Sequence, residues 1–186
     1  MKALPAAIYL SALLLTGFAF ADDATEEANK AIALGFYENL WGSPNTDRYA
    51  EFMADTYIAH DIGSRKGVTE PAIEQKRIAD RFWNNGTMHF ELDYQVAEGD
   101  LVATRWWWGY EPETLLGHIM FGSERIPIIN VFRIRDGKIV ELWNHRHDID
   151  TRMASLPILL AFITGLVLAG IPALIYRKKA RRAHRS

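Results

Sequence analysis

Leu156 to Tyr176 is a run of 21 residues without a charge, and Arg177, Lys178, Lys179, Arg181, Arg182 and Arg185 follow it at once. At about 1.5 Å of rise per residue, a helix of that length covers roughly the 30 Å hydrocarbon core of a bilayer. Nothing polar marks a solvent face, as a core helix of a soluble domain would require. The chain is therefore expected to cross a membrane at 156–176. The positive-inside rule puts the basic tail, 177–186, in the cytoplasm. Pro172 bends such a helix more than it forbids one, and Gly165 and Gly170 are common in membrane helices.

The other end carries a second apolar stretch. Met1-Lys2, the uncharged Ala3–Phe20 and the exit Ala19-Phe20-Ala21 have the basic start, apolar middle and small-residue exit of a secretory signal peptide. Cleavage is expected after Ala21, with an uncleaved anchor as the alternative. Both readings export the soluble part to the outer (periplasmic or extracellular) side of a single-pass cell-membrane protein. That part, residues 22–152, is one domain by size. It holds all 23 acidic residues and 14 of the 21 Lys and Arg, a formal charge of −9. This argues against a nucleic-acid partner, since phosphate needs the opposite sign. The absence of cysteine excludes thiol nucleophiles and thiolate metal sites. A linker of a few residues after Asp150 would hold the domain close to the membrane.

Within the domain the hydrophobic period changes along the chain. Asp23 with Glu26 forms a capping pair ahead of Ala31, Leu34, Phe36, Tyr37, Leu40 and Trp41, so a helix is expected to about Trp41. Gly42-Ser43-Pro44-Asn45 breaks it, and Thr46 is placed to cap a short helix carrying Tyr49, Phe52 and Met53. Tyr57 to Asp61 reads as extended. Thr69 before Glu70-Pro71 has the form of a third helix start, with a stop at Asn84-Asn85-Gly86. The period then becomes two. Met88, Phe90, Leu92, Tyr94 and Val96 alternate with polar residues, and strands are expected at Leu101–Tyr110, Ile126–Arg135 and 138–147.

Three helices followed by antiparallel strands make an α+β domain, with helices packed on one face of a curved sheet. Parity in the last hairpin favours a three-residue loop with Gly137 left-handed. That loop groups Asn130, Phe132, Ile134, Val140, Leu142 and Asn144 on the core face and leaves Arg133, Glu141, Ile139 and Trp143 on the other. Buried amides need partners, so Asn130 and Asn144 either line a polar pocket or form a satisfied core network. Asn85-Gly86-Thr87 also fits a glycosylation sequon, which in a bacterial host is only a turn.

FYENLW, YIAHD, VAEGDLVATRW and above all VFRIRDGKIVELWN resemble the SnoaL-like polyketide cyclase family of the nuclear transport factor 2 superfamily, over roughly residues 29–148. The resemblance implies a cone-shaped fold, often a homodimer, with a pocket between curved sheet and helices. It also implies cofactor-independent chemistry of the cyclase or isomerase type, or simple binding, on a small apolar molecule. The cyclases' Trp-Asp appears here as Trp143-Asn144, and an amide cannot take up the proton that a carboxylate would.

Relative to ketosteroid isomerase, a member of the same superfamily, Tyr37 falls near the oxyanion-hole tyrosine, Asn130 near its protonated acid, and His60-Asp61 near its general base. The candidate acid/base residues are thus His60 and Asp61. The candidate binding residues are Tyr37, Trp41, Tyr57, Asn130, Phe132 and Asn144. His145 and His147 permit a metal site only if other histidines converge on them, so the reading assigns no metal and no cofactor. Trp106-Trp107-Trp108 reads as sheet packing with an interface surface rather than as an aromatic cage. Whether the domain turns over a substrate or is a non-catalytic binding or dimerisation module stays open in the sequence.

Overall fold

A computed structural model describes residues 7–183, with side chains from 23 to 172. Residues 1–6 and 184–186, which open the expected signal peptide and end the basic tail, lie outside the described residues, as do the side chains of 177–183. The elements are α1 (Ala7–Leu40), a 3-10 turn (Thr46–Arg48), α2 (Tyr49–Phe52), β1 (Met53–His60), β2 (Lys66–Pro71), α3 (Ile73–Trp83), β3 (Gly86–Glu98), β4 (Leu101–Pro112), α4 (Leu115–Met120), β5 (Glu124–Arg135), β6 (Lys138–Arg146) and α5 (Arg152–Ala183). Six strands form one sheet in the order β2-β1-β6-β5-β4-β3. The α+β architecture with helices on one face of the sheet is as expected. The sheet is mixed, however, because β1 runs parallel to β6 while every other pair is antiparallel.

The core lies between α1, α3 and that face. Phe36, Tyr37 and Leu40 are at most 2% exposed and meet Val102, Trp106 and Phe132 of the central strands. Tyr37 stacks on Phe90 at 5.1 Å and on Phe132 at 5.4 Å between ring centroids. Each such aromatic pair adds about 0.5–1.5 kcal/mol beyond its area burial.

Local readings change in five places. Helix α1 passes through Asp23 without a break, so no cap forms there, and Glu26 instead accepts a hydrogen bond from Gly99 N at 2.9 Å. Thr46 does not cap either; its hydroxyl donates to Asp80 Oδ1 at 2.6 Å. Thr69-Glu70-Pro71 is strand, with Thr69 paired to Ile58, and the third helix begins at Ile73. A bulge between Leu92 and Tyr94 reverses the parity of β3, so Gln95 reaches Thr104 on the helix-covered face while Tyr94 and Val96 stand 50% and 55% exposed. The segment after Pro112 is not a plain loop, since it contains α4.

The last hairpin solves its parity conflict differently. Asp136 and Gly137 both have positive φ, 50° and 73°, which is the two-residue turn that matches strand twist. The register then shifts, pairing Ile134 with Ile139 and Arg133 with Glu141, so Val140 is the extra residue. Ile139 is therefore buried at 0% where Val140 was expected, and Glu141 still escapes to the outer face.

Candidate functional site

A cavity of about 410 Å³ opens between the inner face of the sheet, α1 and α3. Its walls are apolar and largely aromatic: Phe36 and Trp41 from α1 and its end, Ile78 and Phe82 from α3, and Trp106, Trp108, Ile126 and Ile128 from the sheet. Trp106 and Trp108 face inward, and Trp107 between them lies on the other face with the Arg105 and Arg125 guanidinium groups 5.3 and 4.1 Å from its ring. The triple tryptophan thus builds cavity wall on two of its three rings. The period-two alternation of a strand is the signal that could have shown this.

Two polar clusters interrupt the apolar wall. The first is centred on Asn130, which pairs with Asn144 across β5 and β6. Its Oδ1 accepts from Tyr37 OH at 2.9 Å and from Trp106 Nε1 at 2.8 Å, and its Nδ2 donates to Asn144 Oδ1 at 2.9 Å. Both alternatives for the two asparagines hold together, because they form a bonded network and also line the cavity. Tyr37 is 0% exposed and does not line the cavity; burial holds its phenol pKa well above 10, so it remains a neutral donor to Asn130.

The second cluster sits where β1 leaves the sheet and β6 ends. Asp61 lines the cavity with its side chain 7% exposed. Its Oδ2 pairs with Arg65 Nη1 at 2.9 Å, its Oδ1 accepts from Ile62 N at 2.8 Å, and Arg146 Nη2 stands 3.7 Å from Oδ1. Arg65 continues to Glu70 at 2.7 Å and holds that carboxyl below its usual range by hydrogen bonding. Tyr57 is buried behind this pair, donating to Glu70 Oε2 and accepting from Gln75 Nε2 at 2.6 Å. Arg65, Gln75 and Arg146 line the cavity although nothing singled them out in the sequence. Arg146 shares the parity of Asn144 within the expected strand, so carrying the alternation on by two residues would have found it.

His60 lies elsewhere. It pairs with Trp143 in the β1–β6 ladder, stacks on that ring at 4.9 Å and 4° between planes, and places Nε2 2.8 Å from Glu141 Oε1 on the outer face of the sheet. The structure therefore brings Trp41, Asp61, Asn130 and Asn144 to the cavity and leaves His60, Tyr37, Tyr57 and Phe132 off its lining. Asp61 is the one carboxylate among the described lining residues. Three His, Asp or Glu side chains converge nowhere among the described residues in a manner suited to a metal ion. In the sequon, Asn85 Nδ2 donates to Arg81 O and Oδ1 accepts from Thr114, closing the turn before β3.

Among the exposed lining residues, Met120 at the end of α4 and Pro157 at the start of α5 mark a mouth of the cavity, with Phe121, Met153 and Leu156 lining it beside them, and Ile62 and Arg81 are exposed elsewhere on the lining. Arg152–Pro172 is long and apolar enough to cross a membrane, as a single-pass protein requires.

Residues 33–142 match the SnoaL-like domain family. No curated protein matches the chain. Among solved structures, a candidate polyketide cyclase of Acidithiobacillus ferrooxidans is 19% identical, with TM-score 0.56 over 66% of this chain and 89% of its own. An LEH-like epoxide hydrolase of M. tuberculosis is 13% identical, with TM-score 0.55 over 76% and 98%. A candidate polyketide cyclase of Bacillus cereus is 19% identical, with TM-score 0.53 over 66% and 76%. At these identities the likeness is one of fold.

Proposed function

Because this chain belongs to the SnoaL-like domain family, we propose that it is an exported, membrane-anchored domain that binds a small, mainly apolar molecule in its cavity. The carrying observation is the cavity itself: about 410 Å³ of aromatic and aliphatic wall on which Asn144, Asn130 and Asp61 converge. A site of this size and character is what a small-molecule ligand needs, with a few polar groups to fix its orientation. Burial strengthens each hydrogen bond made there. The boundaries that go with this reading are a signal peptide removed after Ala21, a domain at 22–152, a membrane helix at 156–176 and a cytoplasmic tail at 177–186. The fold family's dimerisation would use the outer face of the sheet, where Ile129, Tyr94 and Val96 are exposed.

Acid/base chemistry of the isomerase or cyclase type is the second reading, favoured by the position of Asp61 on the cavity wall. Its oxygens already accept from Arg65 and the Ile62 amide, so both are engaged by donors of the chain itself. Binding is therefore the primary function. Native mass spectrometry of the detergent-solubilised full chain, isolated from its host's membranes, tests it. A retained apolar compound that leaves when Ile128→Trp fills the cavity supports the reading; an empty cavity together with no uptake of added naphthalene-sized carbonyl compounds refutes it.

A further inference from the structure

The cavity and the membrane helix share residues. Leu156 lines the cavity mouth and is also the first residue of the uncharged 21-residue run. From Met153 to Pro157 the helix axis advances about 6 Å. That is comparable with the headgroup layer on each side, given a bilayer of roughly 40–45 Å with a core of about 30 Å. With α5 crossing a bilayer from Leu156 onward, the mouth would lie at the boundary between headgroups and hydrocarbon.

This placement is fixed by bonds rather than by a free linker. Thr151 is 3% exposed, Arg152 N donates to Glu124 Oε1 at 2.9 Å, Arg152 Nη1 donates to His118 O at 2.7 Å, and Met153 packs on the core. Arg152 thereby ties α5 to α4, whose Leu115, Leu116, Ile119 and Met120 are 76%, 56%, 49% and 41% exposed. Four exposed apolar side chains on a six-residue helix tied to a membrane helix are suited to the bilayer interface and poorly suited to water. Ile62, on another part of the cavity lining, is 60% exposed.

Strand register sets the depth order. Ile128 pairs with Arg146, and Asn130 pairs with Asn144 two residues further from the α5 end of β6. The Asn130–Asn144 pair therefore lies deeper than the Arg146–Ile128 pair, which stands nearer the α5 end. Trp108, also on the lining, carries a buried Nε1–H with no acceptor among the described residues.

We propose that the cavity is loaded from the bilayer, taking a membrane-dissolved amphiphile head first. The oxygen-bearing head, already at headgroup level, enters toward Arg146 and Asn144, and its chain trails past Met120 and Leu156 into the leaflet. This rests on the reading of the cavity as a ligand site and of α5 as a membrane helix.

The test reconstitutes the full chain in phosphatidylethanolamine/phosphatidylglycerol vesicles containing a fatty acid with a diazirine in its chain, followed by irradiation and peptide mapping. In parallel, 2-naphthoic acid is added from water to the detergent-solubilised chain and bound molecules are counted by native mass spectrometry. The expected result is label on peptides carrying Ile62, Met120 and Leu156, reduced at least fivefold by Ile128→Trp. Leu115→Glu with Leu116→Glu, on exposed positions off the cavity lining, should cut the vesicle label about threefold and leave naphthoate binding within twofold. Naphthoate binding with label confined to 158–172 would overturn bilayer loading and leave the ligand site standing. Loss of both signals would remove the ligand site as well.

Discussion

His60 and Asp61 are consecutive in the chain, yet their side chains serve opposite faces of the sheet: His60 stacks on Trp143 outside, and Asp61 lines the cavity inside. The pair therefore cannot act on one substrate as a single acid/base unit. Glu141 marks the outer environment. Burial pushes its carboxyl pKa up, and hydrogen bonds from His60 and Arg133 outweigh that and hold it below the usual range.

The two positions should separate on mutation. His60→Ala removes a stacking contact and a partly exposed pairing, so a loss of about 0.5–1.5 kcal/mol of stability is expected, with ligand affinity within twofold of wild type. Asp61→Asn frees Arg65 and Arg146 from the carboxylate they share on the cavity wall, so an anionic ligand should bind about tenfold more tightly. Titration of 2-naphthoic acid by native mass spectrometry, with thermal unfolding in the same detergent, reads both. Equal affinities in the two variants would contradict the assignment of opposite faces.

Asn130 is the most connected polar group of the interior. Its Oδ1 takes two donors, Tyr37 OH and Trp106 Nε1, and both are buried. Asn130→Leu strands them together, and at about 1–3 kcal/mol for each unsatisfied group the loss is about 2–6 kcal/mol. Tyr37→Phe removes one donor while Trp106 still satisfies the acceptor, so about 1 kcal/mol is expected. In the double variant the two losses should not add, because the phenol that Asn130→Leu strands is already gone. Unfolding of the four proteins followed by tryptophan fluorescence gives the cycle, and full additivity would show that the Tyr37–Asn130 bond is energetically idle.

Acid stability should depend on the Arg65–Glu70 pair. Hydrogen bonding by Arg65 holds the folded Glu70 carboxyl below its usual range, so the unfolded chain binds more protons as pH falls. The stabilisation is complete above the unfolded value, about 4.3, and is lost as pH drops through the lower folded value. Glu70→Gln should lower the melting temperature at pH 7, and the two proteins should converge below about pH 4. A constant gap between them from pH 7 to pH 3 would remove Glu70 as a titrating contributor.

The places where the sequence misleads share a cause. β2 is an edge strand whose residues are nearly all exposed, so KGVTEP carries no burial pattern, and Thr-Glu-Pro imitates a helix start two residues before the real one. The bulges at Asp93 and Val140 add one residue each, and a single residue reverses every side chain beyond it. Strand alternation was legible because it is local; the turn's place at Asp136-Gly137 was legible too, but not its two-residue form, because parity forbids that form without the bulge at Val140. The site was half legible. Asn130 and Asn144 follow from parity in one hairpin, as does the outward turn of Glu141. That His60 points away, that Arg65 and Gln75 reach the cavity and that α5 closes its mouth all depend on how separate elements meet, and no spacing in one segment encodes that.

Asn144 stands where the family's cyclases carry an aspartate, and the structure shows what restoring it would do. Its Oδ1 accepts from Asn130 Nδ2 at 2.9 Å on the cavity wall, an interaction that a carboxylate oxygen makes equally well. Asn144→Asp is nearly isosteric, so its effect on stability should stay within about 1.5 kcal/mol. It adds a proton acceptor that, unlike Asp61, has no guanidinium fixed upon it. A carbonyl compound held in the cavity with an acidic α-hydrogen should then exchange that hydrogen for deuterium faster in the variant, by about tenfold or more, a gain below the usual range for positioned general bases. Proton NMR of the exchange with 2-tetralone in deuterated buffer measures it. No acceleration in a folded, ligand-binding variant would mean that the carbonyl does not sit against β6, and the polar end of the site would have to be reassigned to Asp61 and Arg146.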